Sequence, residues 1–226
     1  CHWWDREAHM RDYTSLDRSW TWFESLDPGY SDPAAWLLIG VDGDNNVHVV
    51  DGFRRRHLQA PALKKLRDTK CGSLLITDGW TDNNEPRLTK DLEDIGMRLN
   101  PVSKQPNETK SWDETLAAKL EEYGMIQPGT GQPRLFISNS LVDYNEESGN
   151  EENWMVQEIE NLVWQEKISK QGEEILPTWD DHRRFGHHFD AMRALAYFLV
   201  SYGDRPKNNI KAYKPSQMLR AKYGQA

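Results

Sequence analysis

Four aspartates in this chain occupy positions from which a sheet could bring them together. Asp27 closes a short strand-like segment at residues 22–26, Asp78 and Asp82 lie at or just past the end of an apolar segment starting at residue 73, and Asp190 falls in the first turn of a final helix. Strand ends and helix starts let side chains converge without each being buried alone, and a helix N-terminus favours a negative charge. Carboxylates gathered in this way suit hard divalent cations, Mg²⁺ or Mn²⁺. Two such ions roughly 3.5–4 Å apart carry out phosphodiester hydrolysis, one activating water and the other steadying the leaving oxygen. Plainer roles stand beside this one. Asp27 before Pro28 and Gly29 has the form of a turn residue, and Asp82 ahead of Asn83, Asn84, Glu85 and Pro86 that of a helix cap. Asp190, between Phe189 and Ala191-Met192, is harder to account for, because a carboxylate in an apolar helix is costly unless paired or metal-bound.

The elements that must position these residues are set by the pattern. Residues 22–26, 34–41 and 47–53, separated by Pro28-Gly29 and by Asp42-Gly43-Asp44-Asn45-Asn46, predict a three-stranded antiparallel meander. Helix and strand then alternate. Residues 61–70 predict a helix, 73–77 a buried strand that runs on toward Trp80, and 86–95 a helix with Leu88, Leu92 and Ile95 on one face and Gly96 as its stop. A brief strand is expected at 97–99, a helix at 111–123 and a strand at 134–138. The acidic residues 143–152 read as an inserted loop, residues 154–168 as a helix with Met155, Ile159, Leu162 and Val163 spaced for burial, and 187–202 as the last helix. A meander leading into this alternation is an α/β fold, a mixed sheet of antiparallel and parallel strands flanked by helices.

With 226 residues, 37% hydrophobic and 28% charged, and 10 Trp, 8 Tyr and 6 Phe, the composition is that of a folded domain. Residues 1–20 read as a connecting arm outside the core, 21–203 as the domain, and 204–226, with Arg205, Lys207, Lys211, Lys214, Arg220 and Lys222, as a basic tail. A first residue that is Cys and not Met points to a missing upstream domain. Only Cys1 and Cys71 are present, which suits a reducing compartment, and no run approaches the roughly 20 apolar residues that cross a bilayer, so no membrane partner is expected. The net charge of −8 excludes bulk coating of nucleic acid. Local positive charge at Arg54, Arg55 and Arg56 is a candidate DNA contact or a solvated surface. A Gly-x-x-x-x-Gly-Lys-Ser/Thr phosphate loop is missing, so this stretch is not an ATP-driven motor by itself.

Three motifs in order carry a family resemblance. Leu26-Asp27-Pro28-Gly29, then Asp82-Asn83-Asn84-Glu85-Pro86 with Pro101 and Lys104, and His187-His188-Phe189-Asp190-Ala191-Met192-Arg193 resemble the nuclease domain of tailed-phage large terminase subunits, which is RNase H-like. The likeness runs over about residues 24–202. It implies that Asp27, Asp82 and Asp190 are the catalytic residues and bind Mg²⁺ or Mn²⁺ at a two-metal site. Asp78-Gly79-Trp80-Thr81 departs from the family pattern and leaves Asp78 as an alternative second ligand. His187 would be an accessory residue at a metal or scissile phosphate, or a helix cap, and Lys104 a phosphate partner, or a solvated lysine. The resemblance further implies double-stranded DNA as substrate, an upstream ATPase domain in the same polypeptide, a portal or procapsid and the small terminase subunit as partners, and the cytoplasm of an infected host. An RNase H-like junction resolvase or transposase-type nuclease, and a non-catalytic module docking on a portal or on DNA, are the alternatives.

Overall fold

The computed structural model describes residues 2–82, 85–102, 112–145, 150–162 and 189–203. A short helix α1 (Arg6–His9) and strand β1 (Met10–Arg11) lead into the meander β2 (Thr21–Asp27), β3 (Ala34–Val41) and β4 (Val47–Arg55). Next come α2 (Ala60–Cys71), β5 (Ile76–Thr81), α3 (Pro86–Asp94), β6 (Asn100–Pro101), α4 (Trp112–Gly124) and β7 (Leu135–Ser138). A hairpin of β8 (Val142–Asn145) and β9 (Asn150–Asn153) precedes α5 (Trp154–Asn161) and α6 (Asp190–Gly203). Among the described residues the large sheet has the order β1-β7-β4-β3-β2-β5-β6. The meander is antiparallel, β5 runs parallel to β2, and β7 runs parallel to β4.

Burial explains which strand takes the centre. Every residue of β3 is buried, so its unbroken apolar run has a packed neighbour on both faces. On one face Trp22, Leu26, Trp36 and Phe53 pack with Leu63 of α2 and Leu92 of α3. On the other, Phe23, Leu37, Val49 and Trp80 pack with Leu116 and Leu120 of α4, Ile159 of α5 and most of α6. Strand alternation therefore puts Phe23, Ser25 and Asp27 on the α6 side. Phe198 lies with its ring centroid 5.5 Å from that of Phe23 and 5.6 Å from that of Trp80. The Ser25 hydroxyl donates to the Ala194 carbonyl at 2.6 Å. These contacts seat α6 across the strands that end in acids.

A bulge decides which way one cation points. The β3–β4 register shifts between Leu38 and Ile39, where Leu38 faces Asp51 and Ile39 faces Val49. One extra residue reverses the in-and-out alternation of the rest of the strand. Val47 and Val49 face α6 before the bulge, Val50 and Phe53 face α2 after it, and Gly52 and Arg54 return to the α6 side. Gly52 is required by close approach, since a Cβ there would lie 2.6 Å from the Trp36 carbonyl oxygen.

Several expectations need correction. The opening residues, expected outside the core, enter it: Trp3 is buried over Gly124, the His9 ring bonds the Gly124 carbonyl at 2.8 Å, and β1 pairs with β7. Their aromatic surface covers the bare backbone where α4 ends. The strand expected from residue 73 begins at Ile76, and Leu75 is exposed. Residues 97–99 form no strand; Met97 and Leu99 are buried in a loop and the pairing with β5 comes at β6. The acidic segment read as a loop contains β8 and β9. Of the helix expected over 154–168 and the helix over 187–202, the residues from 163 to 188 lie outside the described residues, as does the basic tail. Among the described residues no helix is long and apolar enough to cross a membrane.

Candidate active site

Two of the aspartates are set side by side by strand register. In the parallel pair β2–β5, Leu26 stands opposite Thr81, so Asp27 and Asp82 come next at the carboxyl ends of neighbouring strands. Carboxyl ends of parallel strands are the common place for ligands in α/β sheets. Asp27 is 8% exposed and Asp82 4%. The hydroxyl of Tyr197 joins them, 3.2 Å from Asp27 Oδ1 and 3.2 Å from Asp82 Oδ2. Tyr197 is seven residues beyond Asp190, on the same face of α6. Its ring lies parallel to that of Trp112, with centroids 6.5 Å apart. A phenol has a single proton, so it satisfies one of the two carboxylates at a time.

Asp190 opens α6 and is 5% exposed. Arg54 meets its Oδ2 with Nε at 3.3 Å and Nη2 at 3.2 Å. The same Nε lies 3.3 Å from Oε1 of Glu158, a carboxylate of α5 that is 4% exposed. Arg193, one turn along α6, donates to Asp113 at 2.9 Å.

The crowding shifts the protonation equilibria of these groups. Burial, and next the negative charge of Asp190, push the Asp27 carboxyl well above the ordinary carboxylate range, against the pull of Arg193 and the Tyr197 hydrogen bond; Asp82 adds to the rise. Burial raises Glu158 strongly as well, with Arg54 opposing and Asp190 reinforcing. Burial and the neighbouring Asp27 and Asp82 drive the Tyr197 phenol far up, so it stays a neutral donor. Asp27, Asp82 and Asp190 thus share one electrostatic neighbourhood.

The other sequence candidates are less central. Asp78 is four residues before Asp82 along β5, about 13 Å at the usual strand rise. Its carboxylate bonds the Gly79 N–H at 3.0 Å and the Asn100 side chain. Arg55 and Arg56 are exposed, and the Arg56 guanidinium donates to the Ser31 carbonyl at 2.8 Å. Lys104 and His187 lie outside the described residues.

Sequence reasoning gives no role to Tyr197 or Glu158. Glu158 has a signal, since it lies four residues after Trp154 and three after Met155 and so sits on the apolar stripe of its helix. Tyr197 has only its heptad spacing from Asp190.

The side chains of Asp27, Asp82 and Asp190 are buried and offer hard oxygen atoms, the donor type that divalent Mg²⁺ or Mn²⁺ prefers, while Arg54 lies between Asp190 and Glu158 and Arg193 pairs with Asp113. Among the described residues no three such side chains stand close enough to cage an ion as they are. Tyr197 lies between Asp27 and Asp82 and Arg54 holds Asp190, so coordination would need side-chain rotation.

An antiparallel meander extended by parallel strands, with helices on both faces and acids at the strand ends and on the last helix, is an RNase H-like fold. Solved structures share it. The large terminase nuclease from thermophilic phage G20c is 12% identical, with a TM-score of 0.55 over 88% of this chain and 94% of that one. The large terminase of a second thermophilic bacteriophage, in complex with ADP, is 12% identical, with a TM-score of 0.61 over 89% of this chain and 44% of that one. The chain therefore spans less than half the length of the ADP-bound terminase. No family model and no curated protein sequence matches the chain.

Proposed function

We propose that this chain is the metal-dependent endonuclease domain of a viral DNA-packaging terminase, cutting concatemeric double-stranded genome DNA when packaging starts and ends. The observation that carries this reading is the meeting of Asp27 and Asp82 at one tyrosine hydroxyl, with the charge of Asp190 felt at Asp27, on an RNase H-like sheet. The likeness to the two phage terminase structures supports the biological setting.

In this reading Asp27, Asp82 and Asp190 hold Mg²⁺ or Mn²⁺, and the position of Asp82 beside Asp27 favours it over Asp78 as the second ligand. When bound, the cations supply a more acidic water and neutralise charge on the leaving oxygen. The chain's own groups do the rest. Tyr197 orients Asp27 and Asp82 through its one proton, and burial of the carboxylates keeps bulk water from competing for the ions. Arg54 and Arg193 place positive charge beside the acids, and the exposed Arg55 and Arg56 extend it outward for DNA phosphates. Lys104 and His187 remain candidates for a phosphate and a metal or phosphate contact. An upstream ATPase domain, a portal or procapsid, a small terminase subunit and the cytoplasm of an infected host belong to the same reading.

Incubation of supercoiled plasmid with the protein in millimolar Mn²⁺ tests it. The wild type is expected to nick and linearise the plasmid, and Asp27→Ala and Asp82→Asn to leave it intact. Equal cleavage by Asp27→Ala and wild type rejects the site, and a strong preference for four-way junctions over linear duplex would move the protein to the resolvase class.

A further inference from the structure

Folding leaves one aromatic ring in water. Of the Trp, Tyr and Phe residues whose side chains are described, Tyr30 alone is exposed, at 56%, while the others are buried or half-buried. A single exposed apolar side chain is ordinary on a protein surface. What sets Tyr30 apart is where it stands and how firmly it is held.

It stands at the rim of the acidic site. The pairings across the meander put Asp27, Ala35 and Arg54 in one row, so β2 and β4 end at the same edge of the sheet, two strand spacings or roughly 10 Å apart. Two loops leave that edge. Residues 28–33 carry Tyr30, three positions after Asp27, and residues 56–59 open with the exposed Arg56 and His57.

The two loops lock each other. The His57 N–H donates to the Tyr30 carbonyl at 2.9 Å, and the Arg56 guanidinium to the Ser31 carbonyl at 2.8 Å. Pro28 and Pro33 each fix a backbone angle. A Cβ at Gly29 would lie 2.6 Å from the Asp32 carbonyl oxygen, so the turn is closed tightly on itself. His57 has a φ of 56°, a left-handed conformation that is costly for a residue with a side chain and persists where its surroundings enforce it. Its ring meets that of Tyr30 in a T-shaped contact, with centroids 5.2 Å apart, and over half of the tyrosine still faces solvent.

A ring held in this way has already lost the freedom that binding a ligand would otherwise cost. Its neighbours select the ligand. The exposed Arg55 and Arg56 attract phosphate to this edge, and the part of a nucleotide that an aromatic face takes up is the base. In a paired duplex each base face is covered by the next base, so the ring can stack only where a base is unpaired or a step is opened.

We propose that Tyr30 stacks on an unpaired base of the DNA strand held at the acidic site, so that opened duplex is bound in preference to fully paired duplex. The inference rests on the nuclease reading given above and adds to it the form of DNA that the site takes.

Two duplexes that share one strand, one fully paired and one with a mismatched bubble, test this in millimolar Ca²⁺. Fluorescence anisotropy reads affinity, and the emission of a fluorescent adenine analogue in the bubble reads stacking. The wild type is expected to hold the bubble more tightly than the paired duplex and to quench the analogue. Tyr30→Ala should bind the bubble roughly 5-fold to 150-fold more weakly, the range for losing one stacked base, and should lose the quenching. Tyr30→Phe keeps the ring and should behave as the wild type. Because no phosphate contact is removed, the salt dependence of binding should be the same in Tyr30→Ala as in the wild type. Unchanged bubble affinity in Tyr30→Ala, or a loss in Tyr30→Phe as large as that in Tyr30→Ala, overturns the proposal. Should Tyr30→Ala fail to fold, the wild type decides alone: quenching with preference for the bubble supports the proposal, and absence of either overturns it. Plasmid cleavage in Mn²⁺ separates the two readings. A wild type that cuts but shows no preference for the bubble overturns this inference and leaves the nuclease reading in place, and one that neither cuts nor binds DNA overturns both.

Discussion

Replacing Asp27 by Asn should make the cation-free protein more stable while abolishing its activity. Two 3.2 Å contacts to one hydroxyl place Asp27 Oδ1 and Asp82 Oδ2 at most about 6.4 Å apart, where two unit charges at an effective dielectric constant of about 20 would repel by at least about 2.6 kcal/mol, a cost the native state meets either as repulsion or by holding a proton on Asp27. Asp190 adds repulsion, and the attraction of Arg193 takes part of it back. Asparagine removes the charge, keeps the volume, and still accepts the Tyr197 hydrogen bond. A net gain of about 1–2 kcal/mol is therefore expected, the usual size of a single stabilising substitution. For a chain of this length that raises the melting temperature by about 2–8 °C. Scanning calorimetry in EDTA at neutral pH measures it, and plasmid nicking in Mn²⁺ should fall by more than about 100-fold. A variant that melts below the wild type in EDTA would show that the carboxylates do not repel one another, and the shared site would be refuted with it.

The pH dependence has a definite sign. Asp27 and Glu158 titrate above their unfolded values, so between about pH 4 and the raised folded values the native state holds more protons than the unfolded chain. Stability from these groups is full below that window and is lost as pH rises through it; EDTA-treated protein should melt higher in mildly acidic buffer than in alkaline buffer, and the reverse trend counts against their burial. Ser25→Ala removes the 2.6 Å donation to the Ala194 carbonyl and should cost about 1 kcal/mol in urea unfolding, with reduced nicking because α6 is less firmly seated. Glu24→Gln breaks a buried pair in which Arg67 donates at 2.9 and 2.8 Å and Trp36 at 2.8 Å, and should cost about 3–5 kcal/mol. Unchanged urea midpoints for Glu24→Gln would show that the pair contributes nothing.

Much of the fold is written in local pattern. The turn at Pro28-Gly29 and the polar run at residues 42–46 cut the apolar sequence into β2, β3 and β4 close to where those strands lie, because strand breaks need residues that tolerate turns. Leu88 and Leu92 at helical spacing, with Gly96 beyond, mark α3. Residues 3–11 escape a local reading because their burial depends on a distant partner, the backbone of Gly124, that no short period announces. The start of β5 escapes it for a similar reason: Leu74 and Leu75 are apolar, but the parallel pairing with Trp22 begins at Ile76.

The same division runs through the site. Sequence by itself determined that Asp27, Asp82 and Asp190 fall at strand ends and a helix start, since those positions are set by turn chemistry and by hydrophobic period, which are local. Tertiary structure alone decided that Asp82 and not Asp78 stands beside Asp27, because that choice depends on the register between β2 and β5. It also decided that Arg54, of three consecutive arginines, reaches the acids, because one extra residue in β4 reverses the alternation of the strand. Tyr197 and Glu158 join the site only when α5 and α6 pack against the sheet. Distances between residues far apart in the chain arise from that packing, and no short-range pattern encodes them.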